Sequence, residues 1–442
     1  MSKAEALLAH VSRAQLLRRS GRIRKITGLV VESEGPTARI GEICKIQPRG
    51  GSEVALAEIV GFSEGRVTLM PYGELRGIPP DGEVIATGTD PQAPSGSALL
   101  GRIIDAFGEP LDDGGALAVG RRTPLYPQPL NPLKRGARTV GFETGVRAID
   151  TFLPLARGQR VGIFSGSGVG KSTLLGMIAR NVQCDVLVIG LIGERGREVR
   201  AFIDALPKGA LARSVVVAAT SDQAPLLRRR AAFLATAIAE SFAEEGLNVC
   251  LMLDSITRVA MAQREIGLAA GELPTSRGYT PSTFSMLPRL LERGGMRSGG
   301  ALTGLYTVLV DGDDFNEPVT DAVRAILDGH VILSRAIAQR GRFPAIDIPR
   351  SVSRLASVVL DPAHAEYVQE GTRLLAAYEE SRDLIELGAY KPGSNKVTDA
   401  ALRHHAALEQ FIAQRSDEPS NRIEALARLE RILSASAGSP RG

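Results

Sequence analysis

The chain has 442 residues, of which 44 % are hydrophobic and 23 % are charged, with 53 Lys and Arg against 49 Asp and Glu. This length accommodates two or three domains, and the apolar content is that of a globular protein rather than of a disordered one. The net charge of +4 permits an acidic partner or an anionic membrane surface but requires neither.

Several kinds of site are excluded by what the sequence lacks. The cysteines stand among apolar residues without CxxC spacing, which favours a reducing cytosol over a disulfide framework or a zinc site: Cys44, Cys184 and Cys250. No run approaches the ~20 apolar residues that cross a membrane, and the N-terminus lacks a secretory signal. With no Trp and 4 % aromatic residues, the chain offers few platforms for stacked bases, which argues against nucleic acid as a partner.

The first predicted element is a basic amphipathic helix over residues 4–19, ended by Gly21. Such a helix packs on its own domain, docks a partner or lies on a membrane surface, and the residues leave these alternatives open. We treat residues 1–20 as a separate N-terminal segment.

Short β-rich runs with Gly- and Pro-containing turns follow, which is typical of a small β-barrel. We therefore expect a barrel over residues 21–90. Its predicted strands are 23–31, 37–46, 53–62, 66–70 and 83–86. Residues 91–135 are rich in Pro and Gly and predict a linker that wraps onto the next domain.

The core is expected to complete a domain over residues 91–361, in which apolar strands alternate with helices. This alternation predicts a mainly parallel, RecA-like α/β sheet with helices on both faces. Its expected strands are 160–164, 186–192, 214–219, 249–254 and 303–311, and its longest helices are 225–245 and 255–266. Ligands of such sheets bind at the carboxyl ends of strands, where the sequence places Glu194, Asp254 and Asp311.

A helical domain is predicted for residues 362–442, because the sequence becomes polar and helical from about residue 362. Its expected helices are 363–388, 396–414 and 420–435. The tail after Ser434 is expected to be disordered.

One stretch, residues 160–173, combines an apolar strand, a glycine-rich turn and a helix that opens with Lys-Ser. This is the pattern of a P-loop, in which glycines let backbone N–H groups approach phosphate oxygens. Lys171 then supplies a charge to the β- and γ-phosphates, and the Ser172 hydroxyl can ligate Mg²⁺. The predicted nucleotide-binding residues of the loop are Ser165, Gly166, Ser167, Gly168, Val169, Gly170, Lys171, Ser172 and Thr173.

The alternative is an ordinary glycine turn between a strand and a helix, which the register of Gly-Lys-Ser-Thr disfavours. Ser165 departs from the usual P-loop, since Gly is common at that position. Serine is small, so we expect the loop to keep its shape.

Two carboxylates end apolar strands that follow the P-loop. Asp254 can hold Mg²⁺ or its water, although the following helix makes an N-cap the alternative. Glu194 can approach the γ-phosphate and orient the attacking water, although a solvated, charged helix start is the alternative.

A third segment, residues 343–354, shows by spacing only a loop with prolines and a capped helix. On that basis Phe343 is a core residue and Arg354 a surface arginine. The segment nevertheless contains Pro-Ala-Ile-Asp at 344–347 and Ser-Val-Ser at 351–353.

Taken together, these motifs resemble the hexameric rotary-type ATPases, the family of the catalytic subunits of F- and V-type ATPases. Within that family the chain is most similar to the type III protein-export ATPases, and among these it resembles the flagellar branch best. The resemblance covers about residues 22–415. Its motifs lie at 145–150, 193–199, 254–258, 262–267, 277–282, 327–330 and 344–353. Departures are Ser165 and the pair Asn395 and Lys396, where a more acidic pair is expected.

The resemblance implies a fold of barrel, P-loop core and helical C-terminal domain, with ATP and Mg²⁺ as cofactors. It also implies roles for six side chains. Glu194 would position water with Arg195 beside it, Asp254 would lie on the Mg²⁺ side, and Arg258 would lie near the phosphates. Phe343 would pack on adenine, and Arg354 would be an arginine finger in the neighbouring subunit's site. A finger given in trans makes a ring active and a lone subunit nearly inactive.

The same resemblance implies partners and a location. The subunits are expected to form a homo-hexamer, and the N-terminal helix is expected to dock a regulator or stator-type subunit. The C-terminal helices would face chaperone–substrate complexes and export-gate proteins. The protein is expected in the cytoplasm, working peripherally at the inner face of the cell membrane.

Four functions are therefore weighed. The first is Mg-ATP hydrolysis that energises export of flagellar proteins, and the second is the same role in an injectisome, which sequence hardly separates from it. An RNA-translocating ATPase of the termination-factor type predicts aromatic base platforms, which are scarce here. A non-catalytic ring subunit predicts the loss of the catalytic carboxylate, whereas Glu194 is present.

Overall fold

The structure is a computed structural model that describes residues 18–49, 51, 55–131, 133, 136, 140–310, 312 and 314–434. The predicted N-terminal helix, Asp311 and the tail after Ser434 lie outside the described residues. The described residues form an N-terminal barrel, a mainly parallel sheet flanked by helices, and a helical C-terminal region. The predicted fold class is confirmed.

Six antiparallel strands close the barrel in the order β1-β2-β5-β4-β3-β6. Alternate side chains point inward and are fully buried, among them Val31, Ile46 and Leu69. The strands are β1 (Ser20–Thr27), β2 (Val30–Glu34), β3 (Ile43–Gln47), β4 (Ala55–Ser63), β5 (Arg66–Pro71) and β6 (Glu83–Ala86).

Two predicted barrel strands are wrong in extent. The run 23–31 is a hairpin, because Gly28 adopts a left-handed φ of 56° and reverses the chain between β1 and β2. The run 37–46 becomes a strand only at Ile43. Before it, the buried Glu42 carboxylate accepts hydrogen bonds from the N–H groups of Arg39 and Gly88, which holds this segment as a turn.

The Pro- and Gly-rich segment after the barrel does wrap onto the core. Its strands β7 (Gln92–Ser95) and β9 (Arg121–Pro124) pair with each other, and β8 (Ile103–Ile104) adds an edge strand to the core sheet. A 3-10 turn covers Ser97–Leu99. Asp112 fixes the segment, because its carboxylate accepts hydrogen bonds from the Arg102 guanidinium and from the Ile103 N–H.

Asp112→Asn is expected to destabilise the protein in a pH-dependent manner. The hydrogen bonds from Arg102 lower the pKa of Asp112 from 3.8 to about 2, which corresponds to about 2 kcal/mol of stability. A lowered carboxyl pKa stabilises the fold above pH 4, and this contribution is lost as the pH falls towards 2. The free energy of unfolding should therefore differ between wild type and variant by more at pH 7 than at pH 3. An equal difference at both pH values would contradict the assignment.

The core sheet has the order β19-β18-β12-β17-β15-β13-β14-β8, and β16 pairs with β17. Its strands are parallel except β16 and β19, and the central ones are buried along their whole length because helices cover both faces. The strands are β12 (Arg160–Ser165), β13 (Val186–Ile192), β14 (Ser214–Ala219), β15 (Asn248–Asp254), β16 (Gly295–Met296), β17 (Ala301–Leu309), β18 (Gly329–Leu333) and β19 (Val352–Ser353). A small separate ladder joins β10 (Gly141–Phe142) and β11 (Leu155–Ala156).

The helices follow the predicted alternation. Those of the core are α1 (Arg147–Phe152), α2 (Lys171–Asn181), α3 (Gly196–Asp204), α4 (Lys208–Ala212), α5 (Pro225–Glu244), α6 (Ile256–Ala269), α7 (Pro281–Leu291), α8 (Pro318–Ile326), α9 (Arg335–Gln339) and α10 (Ala356–Val359), with a 3-10 turn at Ser276–Gly278. The C-terminal helices are α11 (Pro362–Glu386), α12 (Lys396–Ile412) and α13 (Arg422–Ser434). Asn395, one of the two departures from the family pattern, caps α12 by accepting the N–H groups of its first turn.

The C-terminal region is fastened to the start of the core by buried hydrogen bonds. The Arg147 guanidinium donates to the Phe411 and Ala413 carbonyls at 2.9 and 3.1 Å. The Gln414 side chain donates to the Gly145 carbonyl and accepts from the Arg147 N–H at 3.0 and 2.8 Å. Buried polar groups paired in this way hold one orientation of the C-terminal region against the core. No helix among the described residues is both long and apolar enough to span a bilayer.

Candidate active site

The P-loop connects β12 to α2 at the carboxyl edge of the parallel sheet. Gly168 and Gly170 have φ values of 75° and 97°, which side chains with a Cβ rarely adopt. A Cβ at Gly168 would meet no atom within 4 Å, so the loop is open to a ligand there. Ser165 is the last residue of β12, where a side chain is no obstacle to the backbone conformation. Its presence in place of glycine therefore leaves the loop intact.

Lys171, at the start of α2, brings together the two carboxylates predicted from the strand ends. Its Nζ lies 3.2 Å from Glu194 Oε1 and contacts Asp254 Oδ1. All three side chains are largely buried, with 11, 13 and 8 % of their surfaces exposed. Glu194 follows β13 and Asp254 ends β15, so parallel pairing of these neighbouring strands sets both groups at one edge.

Glu194 is not a solvated helix-start residue. Its backbone carbonyl accepts the Ser221 N–H at 3.0 Å, and its side chain turns inward to Lys171. Burial raises the pKa of the Glu194 carboxyl above its ordinary 4.5, and Lys171 lowers it while Asp254 raises it. A carboxylate with a raised pKa is a better proton acceptor near neutral pH.

If the chain hydrolyses a nucleotide with Glu194 as the base, we expect the acid limb of the pH profile of turnover to lie above pH 4.5. If Glu194 acts in its ionised form, turnover falls as the pH is lowered through its raised pKa. ATP binding through the P-loop should persist to a lower pH than turnover does. The turnover number measured from pH 9 to pH 5 should therefore fall while the protein stays folded. A turnover number that stays constant down to pH 4.5 in folded protein would contradict this role.

Asp254 does not cap α6, because Ser255 does. The Ser255 hydroxyl accepts the Arg258 N–H, which closes the first turn. The Asp254 carboxylate instead accepts the Thr307 hydroxyl at 2.6 Å and contacts Lys171. The N-cap interpretation of Asp254 is therefore wrong.

A cleft of about 370 Å³ opens between α2 and α3 beside these groups. Ser172, Glu194 and Asp254 line it, which gives a hydroxyl and two carboxylates facing one space. These are the oxygen ligands that Mg²⁺ takes, with nucleotide phosphates and water completing its shell. The described residues contain no cluster of three or more His, Cys, Asp or Glu side chains that would hold a metal by itself. The donors therefore fit Mg²⁺ that arrives with a nucleotide rather than a protein cage.

The other predicted site residues lie at different distances from this centre. Phe343 lies against the loop, since its ring carbons are 3.6 Å from the position of a Cβ at Gly170. It is 46 % exposed, so it is not the core residue that spacing alone suggests. The Arg258 side chain packs beside Gly193, and its Nε is buried without a hydrogen-bond partner among the described residues. Arg195 is exposed and pairs with Glu198 at 3.2 Å.

Arg354 lies away from its own site. It follows β19, whose Ser353 pairs with Gly329 at the first residue of β18. The P-loop leaves the sheet at the other end, where Ser165 pairs with Leu333. Four residue steps at about 3.3 Å each separate these ends by roughly 13 Å. Arg354 is exposed, and its side chain has no hydrogen bond or ion pair within the described part of the chain.

Residues that sequence reasoning missed complete the site. Thr307 donates to Asp254 from the buried strand β17, where the sequence does not distinguish it from Thr303. Glu198 and Ser416 also line the cleft, Ser416 from the loop after α12. Glu198 was visible within the Glu-Arg-Gly-Arg-Glu motif, whereas Thr307 and Ser416 carry no local signal and reach the site only through tertiary packing.

The fold and site define a P-loop nucleotide-binding protein with a barrel before its core. Comparison with family models agrees along the chain. The nucleotide-binding domain of the ATP synthase alpha/beta family matches residues 145–353, and the beta-barrel domain of that family matches residues 23–88. The T3SS EscN ATPase C-terminal domain matches residues 360–431.

Individual relatives match over nearly the full length. The flagellum-specific ATP synthase of Bacillus subtilis (strain 168) is 50 % identical over 97 % of this chain and 98 % of its own. The type 3 secretion system ATPase of Xanthomonas euvesicatoria is 48 % identical over 91 % of each chain. The assembled ATPase EscN from the enteropathogenic E. coli type III secretion system is 42 % identical, with a TM-score of 0.89 over 93 % of this chain and 100 % of that chain. The structure of EscN in complex with its central stalk EscO is 41 % identical in sequence, with a TM-score of 0.86 over 93 % of this chain and 100 % of that chain.

The chain therefore belongs to the ATP synthase alpha/beta family. Within that family it is an ATPase of the type III export kind.

Proposed function

We propose that the chain hydrolyses Mg-ATP as a ring and thereby energises export of flagellar proteins through a type III secretion apparatus. The observation that carries the proposal is the contact of one lysine with two carboxylates, Lys171 with Glu194 and Asp254, beneath an open P-loop. An ammonium held between two strand-end carboxylates is suited to exchange them for phosphate oxygens.

The residues would divide the reaction as follows. The P-loop N–H groups and Lys171 hold the phosphates, and Phe343 packs on the base. Glu194 accepts a hydrogen bond from the attacking water and takes its proton. Arg258 and Arg195 add positive charge on the phosphate side, and Thr173 follows Ser172 in the helix turn that faces the ligand.

Ser172 and Asp254 would hold Mg²⁺ directly or through water. When bound, this ion neutralises charge on the β- and γ-phosphate oxygens. The protein groups therefore need only to orient the nucleotide and one attacking water and to move one proton.

Arg354 is proposed to act in the site of a neighbouring subunit. Its location at the opposite end of the sheet from its own P-loop, with no partner within the described residues, supports this role. The relative EscN was solved in an assembled form, which supports a homo-hexamer here.

The same likeness supports a proposal for the partners and the location. EscN was also solved with a central stalk, and we propose a comparable stalk or regulator for this ring, with the N-terminal helix docking a regulator or stator-type subunit. The C-terminal helices would receive chaperone–substrate complexes and export-gate proteins. We place the ring in the cytoplasm at the inner face of the membrane, where an anionic surface could meet its mild positive charge.

The experiment that tests hydrolysis is phosphate release from ATP by the purified protein, with Lys171→Ala as its matched inactive control. We expect Mg²⁺-dependent release by the wild type and weakened ATP binding by the variant. Release by Lys171→Ala at the wild-type rate would contradict the site.

An injectisome ATPase is the second candidate, since relatives at 48 and 42 % identity carry type III secretion names. Deleting the gene and scoring motility and secretion of virulence proteins separately decides between them. Loss of motility with intact virulence secretion supports the flagellar role, and the reverse result supports the injectisome role.

A further inference from the structure

Strand β17 lies between β12, which leads into the P-loop, and β15, which ends at Asp254. Thr307 stands on β17 opposite Ile163 of β12 and is fully buried. Its hydroxyl donates to Asp254 Oδ1 at 2.6 Å. The other acceptor within its reach, the Leu253 carbonyl, is 3.4 Å away. The hydroxyl has one proton, and it therefore donates this proton in a hydrogen bond to the Asp254 carboxylate.

The same carboxylate oxygen receives the Lys171 ammonium. Within the described residues both hydrogen bonds to the Asp254 carboxylate fall on Oδ1, while the side chain lines the cleft and keeps 8 % of its surface exposed. Oδ2 is therefore the oxygen left to face the cleft.

The two donors on Oδ1 differ in how firmly they are fixed. Lys171 reaches Asp254 along a flexible stem, and its proposed role takes it to the phosphates. Thr307 is β-branched and stiff at χ1, and it sits in an inner strand paired on both sides. When the ammonium leaves, the threonine hydroxyl is the donor that stays.

We propose that Thr307 is a positioning residue that holds Asp254 Oδ1, so that Oδ2 is presented to the magnesium of Mg-ATP. The inference rests on the proposed function, because it needs Mg-ATP in the cleft. Mg²⁺ demands near-ideal octahedral geometry, so a carboxylate free to rotate loses metal affinity even though its charge is unchanged. Removing such an outer partner typically costs 10- to 100-fold in metal affinity.

The test compares three variants. Thr307→Val keeps the shape and removes the donor, and Thr307→Ser restores it. Thr303→Val is the matched control, because Thr303 is also fully buried on β17 but its hydroxyl accepts the Gly158 N–H at 2.9 Å instead of serving Asp254. Thr307→Ala, which also lacks the donor, replaces the valine variant if that variant does not fold.

The readout is equilibrium binding of a fluorescent, non-hydrolysable ATP analogue in excess Mg²⁺ and in EDTA. We expect Thr307→Val to raise the Kd measured in Mg²⁺ about tenfold and to leave the Kd measured in EDTA unchanged. The ratio of the EDTA Kd to the Mg²⁺ Kd then falls about tenfold. Thr307→Ser should stay within about twofold of wild type, since it keeps the donor. Thr303→Val should keep the wild-type ratio even if its melting temperature falls.

An unchanged ratio in Thr307→Val, or equal weakening with and without Mg²⁺, overturns the proposal, because a merely structural threonine would give one of these results. Phosphate release by the wild type is measured alongside. A wild type that binds the Mg²⁺ complex but releases no phosphate refutes the proposed hydrolysis. The binding comparison of the Thr307 variants still tests the role of Thr307 in that case. A wild type without any Mg²⁺-dependent binding overturns both.

Discussion

Glu194→Gln is expected to remove nearly all ATP turnover while ATP still binds. The amide keeps the size of the side chain but cannot take a proton from water, and the phosphate-binding loop is untouched. A general base contributes about 10²- to 10⁴-fold to rate, so we expect a loss in that range in steady-state phosphate release. The Kd of a fluorescent ATP analogue should stay near the wild-type value.

The control for this variant is Asp204→Asn. Asp204 ends α3, the helix that follows Glu194, and it is exposed and paired only with Arg200 among the described residues. Its loss should leave turnover within about twofold, since exposed ion pairs contribute little. Normal phosphate release by Glu194→Gln would remove Glu194 from the catalytic role.

Arg354→Ala is expected to leave the fold and ATP binding intact and to remove most of the turnover. The side chain is exposed and makes no hydrogen bond or ion pair within the described part of the chain, so its removal costs the subunit little stability. An arginine finger given in trans is worth about 10³ to 10⁵ in rate. Phosphate release should fall by a factor in that range at protein concentrations where the wild type forms rings.

The matched control is Arg324→Ala. Arg324 is a half-buried arginine on α8 that pairs with the exposed Asp321, and its loss should change turnover little. A wild type whose specific activity is the same as a monomer and as a ring would count against a trans role for Arg354.

The sequence predicted those parts of the site whose signals are local. The P-loop is continuous in the chain, and Glu194 and Asp254 each follow an apolar run that ends at the sheet edge. Parallel strands end at one edge of the sheet, which places both carboxylates there, and the pairing of β13 with β15 then makes them neighbours. The boundaries of the barrel strands could not be predicted as well, because the β-rich composition from Ile23 to Val31 continues through the turn at Gly28.

The remaining parts depend on tertiary pairing that no local pattern encodes. Thr307 reaches Asp254 only because β17 lies next to β15, and nothing in the sequence distinguishes it from Thr303 on the same strand, whose hydroxyl serves a different group. Phe343 could be placed on the nucleotide only by resemblance, since spacing favoured the core. The end of α12 shows the same limit: a helix was predicted to residue 414, but Gln414 leaves it to donate its N–H to the Phe343 carbonyl.

The most direct test of a site shared between subunits is a mixing experiment with two inactive proteins. Glu194→Gln subunits keep Arg354, and Arg354→Ala subunits keep Glu194. Rings assembled from both contain boundaries where an intact carboxylate meets an intact arginine. We predict that the mixture releases phosphate although neither protein does so alone, with activity greatest near equal proportions. Mixed rings that form and remain inactive at every proportion would contradict the account.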